Sequence, residues 1–100
     1  MFISIARDGR LALREAEDFK RLHIEPESVM SIEDVTKALA PIAVRADNDF
    51  WVGVEDLKTL SGRAGDTAWE GNFAAMIASV EKFGWLSPDR RRVRCHVKSK

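Results

Sequence analysis

Apolar residues recur along the chain with two periods, and each period predicts where helices and strands lie. The strongest helical period follows residue 67, where one face at 100° per residue carries six apolar side chains: Trp69, Phe73, Met76, Ile77, Val80 and Phe83. Thr67 and Glu70 have the spacing of a capping box, and Gly84 is of the residue type that ends helices. We therefore expect a long helix over residues 68–83 with this face buried.

Two shorter helices are predicted ahead of the long one. After Ser31, a capping residue, helical intervals separate four apolar positions: Ile32, Val35, Leu39 and Ile42. Pro41 lacks a backbone donor and clashes with the preceding turn, so this helix is expected to end or kink near Leu39–Ala40. Gly62 is expected to terminate a second short helix, which three apolar residues mark: Val54, Leu57 and Leu60.

The N-terminal third of the chain allows two interpretations. Phe2–Ala6 is apolar and rich in strand formers, and Asp8-Gly9 signals a tight hairpin with Leu11–Leu13 as its return strand. Alternatively, Asp8 begins a helix with one apolar face: Ala12, Ala16, Phe19 and Leu22 or His23. We favour the hairpin, followed by a short helix over Glu15–Leu22.

The end of the chain alternates with a period of two. Phe50–Val52 is a short predicted strand after a polar turn, and Trp85-Leu86 with the turn Ser87–Arg90 leads into a final strand. In that strand an apolar row (Val93, Cys95, Val97) alternates with a basic row: Arg92, Arg94, His96 and Lys98. We expect the apolar row to face the long helix, because a one-residue slip would bury the basic row instead.

Composition limits the class of protein. The chain has 100 residues, 45% of them hydrophobic and 32% charged, which is typical of one soluble globular domain over residues 1–100. Within it we distinguish an extension (1–26) from a main part (31–98). No apolar run is long enough to span a bilayer and the first residues lack a secretory signal pattern, so we expect no membrane contact and a cytoplasmic location. A single cysteine excludes an internal disulfide.

Charge is unevenly distributed although the formal net charge is zero. Residues 1–50 contain seven basic and ten acidic side chains, and residues 51–100 contain nine and six. The basic excess lies near the end of the chain and supplies the candidate anion or nucleic-acid contacts: Arg90, Arg91, Arg92, Arg94, His96 and Lys98. Alternatively, acidic residues neutralise this row within the chain, and Glu25, Glu27 and Asp47 are the candidates.

From Ser31 onward the order of elements resembles a winged-helix module over residues 31–98. Three stretches carry the resemblance: WVGVEDLKTLSG, VEKFGWL and SPDRRRVRCHV. It implies an α+β fold with the order helix, short strand, helix, helix, β-hairpin, to which this chain adds an N-terminal β-hairpin and helix. Winged-helix modules often bind DNA through the second helix and the hairpin, and many others bind proteins.

The exposed face of the long helix departs from the DNA-binding pattern. Major-groove contacts favour Arg, Lys, Asn and Gln, whereas this face carries small residues and one lysine: Gly71, Ala74, Ala75, Ala78 and Lys82. The alanines either reflect helix propensity alone or let another element approach closely. That element would be the first 25 residues or a second subunit, which makes four residues a candidate protein-contact face: Gly71, Ala74, Ala75 and Ala78.

No constellation of chemically active side chains is recognisable. The spacing of His23, His96 and Cys95 matches no metal site, and Cys95 and His96 point to opposite faces of one strand, which excludes a nucleophile–base pair. We expect no catalytic, cofactor or metal site. The favoured function is a non-enzymatic module that binds a protein partner or a second copy of itself, with nucleic-acid binding by the basic hairpin as the alternative. A partly exposed Trp51 or Trp85 is a candidate anchor.

Overall fold

Six strands, three α-helices and one 3₁₀ turn form the α+β fold of residues 1–98, the part of the chain that the computed structural model describes. In chain order they are β1 (Phe2–Ile5), β2 (Leu11–Arg14), β3 (His23–Pro26), α1 (Ile32–Leu39), β4 (Ala43–Ala46), β5 (Asp49–Gly53), α2 (Val54–Ser61), α3 (Thr67–Ser79), the 3₁₀ turn (Glu81–Phe83) and β6 (Arg92–His96).

Two three-stranded sheets meet at one seam. The first has the order β2-β1-β3 with β1 and β3 parallel, and the second is antiparallel with the order β4-β5-β6. Ile24 of β3 forms a parallel bridge with Val97, and the Lys98 amide donates to the Ile24 carbonyl at 2.8 Å. Residues 2–26 therefore supply half of a joined six-stranded surface.

One core lies between these strands and the helices. The inner faces of the strands bury Ile3, Ile24, Phe50, Val93 and Cys95 together with one or more residues from each helix. The helices contribute seven fully or nearly fully buried side chains: Val35, Leu39, Leu57, Trp69, Phe73, Met76 and Ile77. The outer faces of the strands carry half-buried and exposed side chains instead, apart from Ser4 of β1, which is buried.

The first hairpin forms as predicted, but with a different turn. β1 pairs antiparallel with β2, the Ala6 amide donates to the Arg10 carbonyl at 2.9 Å, and the Gly9 amide donates to the Ala6 carbonyl at 2.8 Å. A two-residue type I′ turn needs positive φ at both central positions, yet only Gly9 (φ 89°) has one. The Asp8 carboxylate instead accepts from the backbone and side chain of Arg10.

The helix expected over Glu15–Leu22 is wrong. This segment is a series of turns that begins at Glu15, whose φ is 50°. Long-range contacts hold it: the Met1 amino group donates to the Asp18 and Arg21 carbonyls at 2.9 and 2.8 Å. The segment is irregular, but its apolar side chains pack on the core at intervals of three residues. These intervals resemble a helical period, which explains the wrong prediction.

The chain also contains two strands that the sequence did not predict, β3 and β4. β4 forms a hairpin with β5 around Asp47, whose φ is 58°, so the expected single short strand is one of a pair. Ser31 caps α1 as expected, its hydroxyl accepting from the Asp34 amide at 3.1 Å, and the helix ends at Leu39 before Pro41. The observed order from Ser31 is therefore helix, strand pair, helix, helix, hairpin.

The longest helix, α3, differs from its prediction at both ends. Asp66 rather than Thr67 is its N-cap, accepting from the Trp69 amide at 3.1 Å, while the Glu70 carboxylate accepts from the Gly65 amide at 2.7 Å. The α-helix ends at Ser79, and a 3₁₀ turn follows. A 3₁₀ turn has about three residues per turn, so it shifts the phase of the predicted apolar face. Phe83 is consequently 58% exposed rather than buried.

The final hairpin joins residues 85–87 to β6. The Arg94 amide donates to the Trp85 carbonyl at 2.7 Å, and the Ser87 amide donates to the Arg92 carbonyl at 2.9 Å. Val93 and Cys95 are buried and Val97 is half-buried, whereas Arg92, His96 and Lys98 are exposed and Arg94 is half-buried. The two-residue alternation predicted for this strand is therefore confirmed.

Candidate binding groove

A groove lies along the edge of β6, between its contacts with residues 85–87 and the contact of the following residue with β3. Residues 85–87 pair with β6 around Val93, and Ile24 forms a bridge with Val97, the residue that follows β6. The segment Phe19–Leu22, the end of α3 and β6 line a space of about 520 Å³ beside these contacts. We call this space the groove.

The floor of the groove is apolar. It is formed by the C-terminal half of α3 and by both sides of the final hairpin: Met76, Ile77, Val80, Trp85 and Val93. Phe19 and Leu22 add apolar surface from the opposite wall. Clefts of this size with a mostly apolar lining are typical of binding sites.

The rim of the groove is basic. Lys20 and Arg21 lie on one wall, and Arg94 and His96 lie on the other. The single carboxylate in the lining is Asp49, which accepts from Nε of Arg94 at 2.8 Å. No ion pair recorded within residues 1–98 includes Lys20 or Arg21.

Contacts distant in sequence fix the wall that carries Lys20 and Arg21. The Trp69 indole N–H donates to the Ala16 carbonyl at 2.8 Å, and the Phe19 ring lies 6.1 Å from the Trp69 ring, centroid to centroid. Together with the Met1 contacts to this segment, they hold a turn-rich backbone in place without secondary structure. Sequence reasoning did not select Lys20, Arg21 or Asp49, because the expected helix placed the first two elsewhere.

An exposed aromatic pair stands beside the groove. The rings of Phe83 and Trp85 are 5.1 Å apart and tilted, and the two side chains are 58% and 47% exposed. Gly84 between them has a φ of 76°, a conformation that glycine adopts without strain. Nζ of Lys82 lies 5.2 Å from the centroid of Phe83. Of the two candidate anchors, Trp85 is the more exposed, while Trp51 is half-buried.

The predicted basic row divides into two groups. Two members have carboxylates within 4.0 Å: Arg94 pairs with Asp49 and Lys98 with Glu25. The ring of His96 stacks on that of His23 at 6.0 Å. Of the proposed neutralising residues only Glu25 contacts the row, since the ion pairs recorded within residues 1–98 include neither Glu27 nor Asp47.

The turn of the final hairpin carries the rest of the basic residues. Arg90 pairs with Glu81, whereas no ion pair among the described residues includes Arg91 or Arg92. All three are exposed. The candidate anion contacts are thus neutralised in part, and the least neutralised arginines are Arg91 and Arg92 at the turn.

The candidate protein-contact face lies on the outside of α3. Its four residues are exposed: Gly71, Ala74, Ala75 and Ala78. The first 25 residues contact the opposite, Trp69 side of the helix, where the indole N–H donates to the Ala16 carbonyl, and they leave this face exposed. A second subunit stays a proposal.

Cys95 is a core residue rather than a reactive thiol. It is 1% exposed, and burial raises the pKa of its thiol from the ordinary 9.0 to about 12, with the charge of Asp49 adding to the effect. His96, next in the chain, lies on the opposite face of the strand and is exposed. The geometry agrees with the expectation that these two side chains diverge.

Alkylation of Cys95 should report unfolding. We expect iodoacetamide at about pH 8 to modify the thiol at least 100-fold more slowly in the folded chain than in guanidinium, because the thiolate is the nucleophile. The raised pKa also makes stability depend on pH. The folded state favours the neutral thiol of Cys95, so its contribution to the free energy of unfolding is fully present below pH 9 and is lost as the pH rises towards 12. Equal modification rates in the two solvents would contradict this.

Two kinds of feature that often indicate function are absent from residues 1–98. No group of three or more His, Cys, Asp or Glu side chains in this part of the chain could hold a metal ion. None of its helices is both long enough and apolar enough to cross a membrane. Comparisons with protein-family models, curated proteins and solved structures find no match to this chain.

Proposed function

We propose that the protein is a non-enzymatic interaction module that binds a protein partner at the groove. The observation that carries the proposal is the exposed pair Phe83–Trp85, one ring of which lines the groove. A few residues contribute most of the binding energy at protein interfaces, and tryptophan is enriched among them. In the isolated chain Phe83, Trp85 and the half-buried Val80 remain in contact with water, and association would remove this apolar surface from water.

The proposed fold family for residues 31–98 remains the winged helix. In its favour, α2 and α3 precede a hairpin, and β6 lies between β5 and residues 85–87. The strand β4 and the N-terminal strands are additions to that pattern. The buried, unpaired Cys95 supports the proposal that the protein works in a reducing compartment such as the cytoplasm.

Nucleic-acid binding is the second candidate function. The observation that favours it is the position of Arg91 and Arg92 at an exposed turn, outside the ion pairs of residues 1–98. Phosphate contacts by such residues would give a DNA affinity that falls steeply with salt. The logarithm of the binding constant would fall against the logarithm of the salt concentration with a slope of about −0.9 per neutralised phosphate. Titration of duplex DNA at low salt separates the candidates, because the favoured function predicts no binding tighter than about 10⁻⁴ M.

Selection from a random peptide library tests the favoured function. We expect the immobilised protein to enrich peptides whose affinity falls at least tenfold on Trp85→Ala, as for an interface anchor. Val44→Ala is the matched control, because Val44 is 55% exposed on β4 and does not line the groove. Circular dichroism establishes that both variants are folded.

Two outcomes of that selection would contradict the proposal. The first is the absence of any enriched peptide. The second is a set of peptides that binds Trp85→Ala as tightly as the unsubstituted protein. If the chain self-associates through the α3 face instead, sedimentation will show a dimer that Ala75→Glu dissociates while the groove stays empty.

A further inference from the structure

We infer that the segment bound in the groove is acidic, with apolar side chains on the floor and carboxylates at the rim. The inference rests on the proposed function and specifies the chemistry of the partner. Its basis is charge complementarity: four basic side chains surround the groove, and the one carboxylate there, Asp49, is already bound to Arg94.

The positive rim is a local feature of the fold. The whole chain has 16 basic and 16 acidic side chains, so composition alone does not produce a surplus of positive charge at one site. Neither of the acidic residues nearest in sequence to Lys20 forms an ion pair with it. Glu17 pairs with Arg63, and Asp18 accepts from the Lys20 amide and lies 3.9 Å from the Met1 amino group. The Lys20 amide and, less strongly, the charges of the Met1 amino group, Arg21 and Lys20 lower the pKa of Asp18.

The basic side chains retain hydrogen-bond donors. Lys20 and Arg21 are exposed and take part in no ion pair recorded for residues 1–98. The hydrogen bond from Arg94 to Asp49 uses Nε, and an arginine side chain has four further N–H donors. Carboxylates of a partner can therefore accept charge-assisted hydrogen bonds from these side chains, which are stronger than neutral ones.

The apolar floor requires apolar side chains in the ligand as well as acidic ones. The groove has room for apolar side chains next to Trp85, the proposed anchor. A partner with acidic residues flanking leucine or tryptophan would satisfy both surfaces. A partner with basic residues would place like charges against Lys20 and Arg21, which is unfavourable by the rules of electrostatic complementarity.

Fluorescence anisotropy with three matched peptides tests this inference on the unsubstituted protein. The first alternates glutamate with leucine and contains one tryptophan, the second has lysine in place of each glutamate, and the third has alanine in place of each apolar residue. We expect the first to bind at least tenfold more tightly than either of the others. Its affinity should decrease as ionic strength rises, because exposed charges are screened.

Charge reversal locates the binding site. The double variant Lys20→Glu/Arg21→Glu should bind the glutamate peptide at least tenfold more weakly and the lysine peptide more tightly than the unsubstituted protein does. The matched control, Arg91→Glu/Arg92→Glu, makes the same change in charge at the hairpin turn, outside the groove lining, and should alter the affinity less than twofold. Circular dichroism of both variants verifies that they fold.

Several results would overturn the inference. Glutamate and lysine peptides of equal affinity would do so, as would equal losses from the two double variants, since the attraction would then be diffuse. If library selection yields Trp85-dependent peptides without acidic residues, the proposed function stands and the inference fails. If no peptide depends on Trp85, both fail.

Discussion

Replacing Phe73 by alanine is expected to lower the free energy of unfolding by about 3–5 kcal/mol. Phe73 is fully buried at the centre of α3, and its ring stacks on that of Trp69 at a centroid distance of 4.8 Å. Truncation removes the transfer free energy of the ring and leaves a cavity between the helix and the strands. Urea or guanidinium denaturation followed by circular dichroism measures the change.

Phe83→Ala is the matched control for that experiment. It is the same substitution, 10 positions further along, but the Phe83 side chain is 58% exposed after the 3₁₀ turn. Surface substitutions usually change stability by about 0.5 kcal/mol or less. Similar losses for both variants would mean that Phe83 is part of the core and that the helical phase continues past Ser79.

Elements with local signals were predictable from the sequence. α1, α2, α3 and the first hairpin carry their capping residues, glycine stops and apolar periods within a few positions of each other. The outward direction of the basic row follows from a period of two in a single strand. The exact start of α3 was less predictable. Asp66 and Thr67 are both good N-cap residues, and in the structure the helix begins after Asp66.

Elements whose stability comes from distant partners were not predictable in this way. β3 is a four-residue strand ending in Pro26, and it exists because β1 pairs with it in parallel and Val97 bridges to it. The segment before it has helical spacing of apolar residues, but contacts with Met1 and with Trp69, more than 45 positions away, hold it in an irregular conformation. Parallel pairing and such long contacts leave no periodic signal in the sequence.

The groove shows the same limit. Arg94, His96 and Trp85 belong to a strand and hairpin with strong local patterns, so they were among the candidates. Lys20 and Arg21 face them only because the seam brings β3 beside the end of β6. A site formed by two segments some 70 positions apart becomes recognisable when their spatial relation is known.

The seam itself gives the second large expected effect. Ile24 is fully buried, bridges to Val97 and accepts from the Lys98 amide, so it links the two sheets. We expect Ile24→Ala to lower the free energy of unfolding by about 2–5 kcal/mol through lost burial and a cavity. Val29→Ala, at a side chain that is 86% exposed, is the surface control and should change it by about 0.5 kcal/mol or less.

Hydrogen exchange tells whether the seam joins one cooperative unit. The two sheets share a single core cluster that includes Ile3 and Ile24 from one and Phe50 and Val93 from the other. Ile24→Ala should therefore accelerate exchange of the protected amides of β1 and β5 by the same factor, because both open through the same global unfolding. Accelerated exchange confined to residues 1–26 would contradict this. It would mean that the N-terminal strands unfold independently of the sheet formed by β4, β5 and β6.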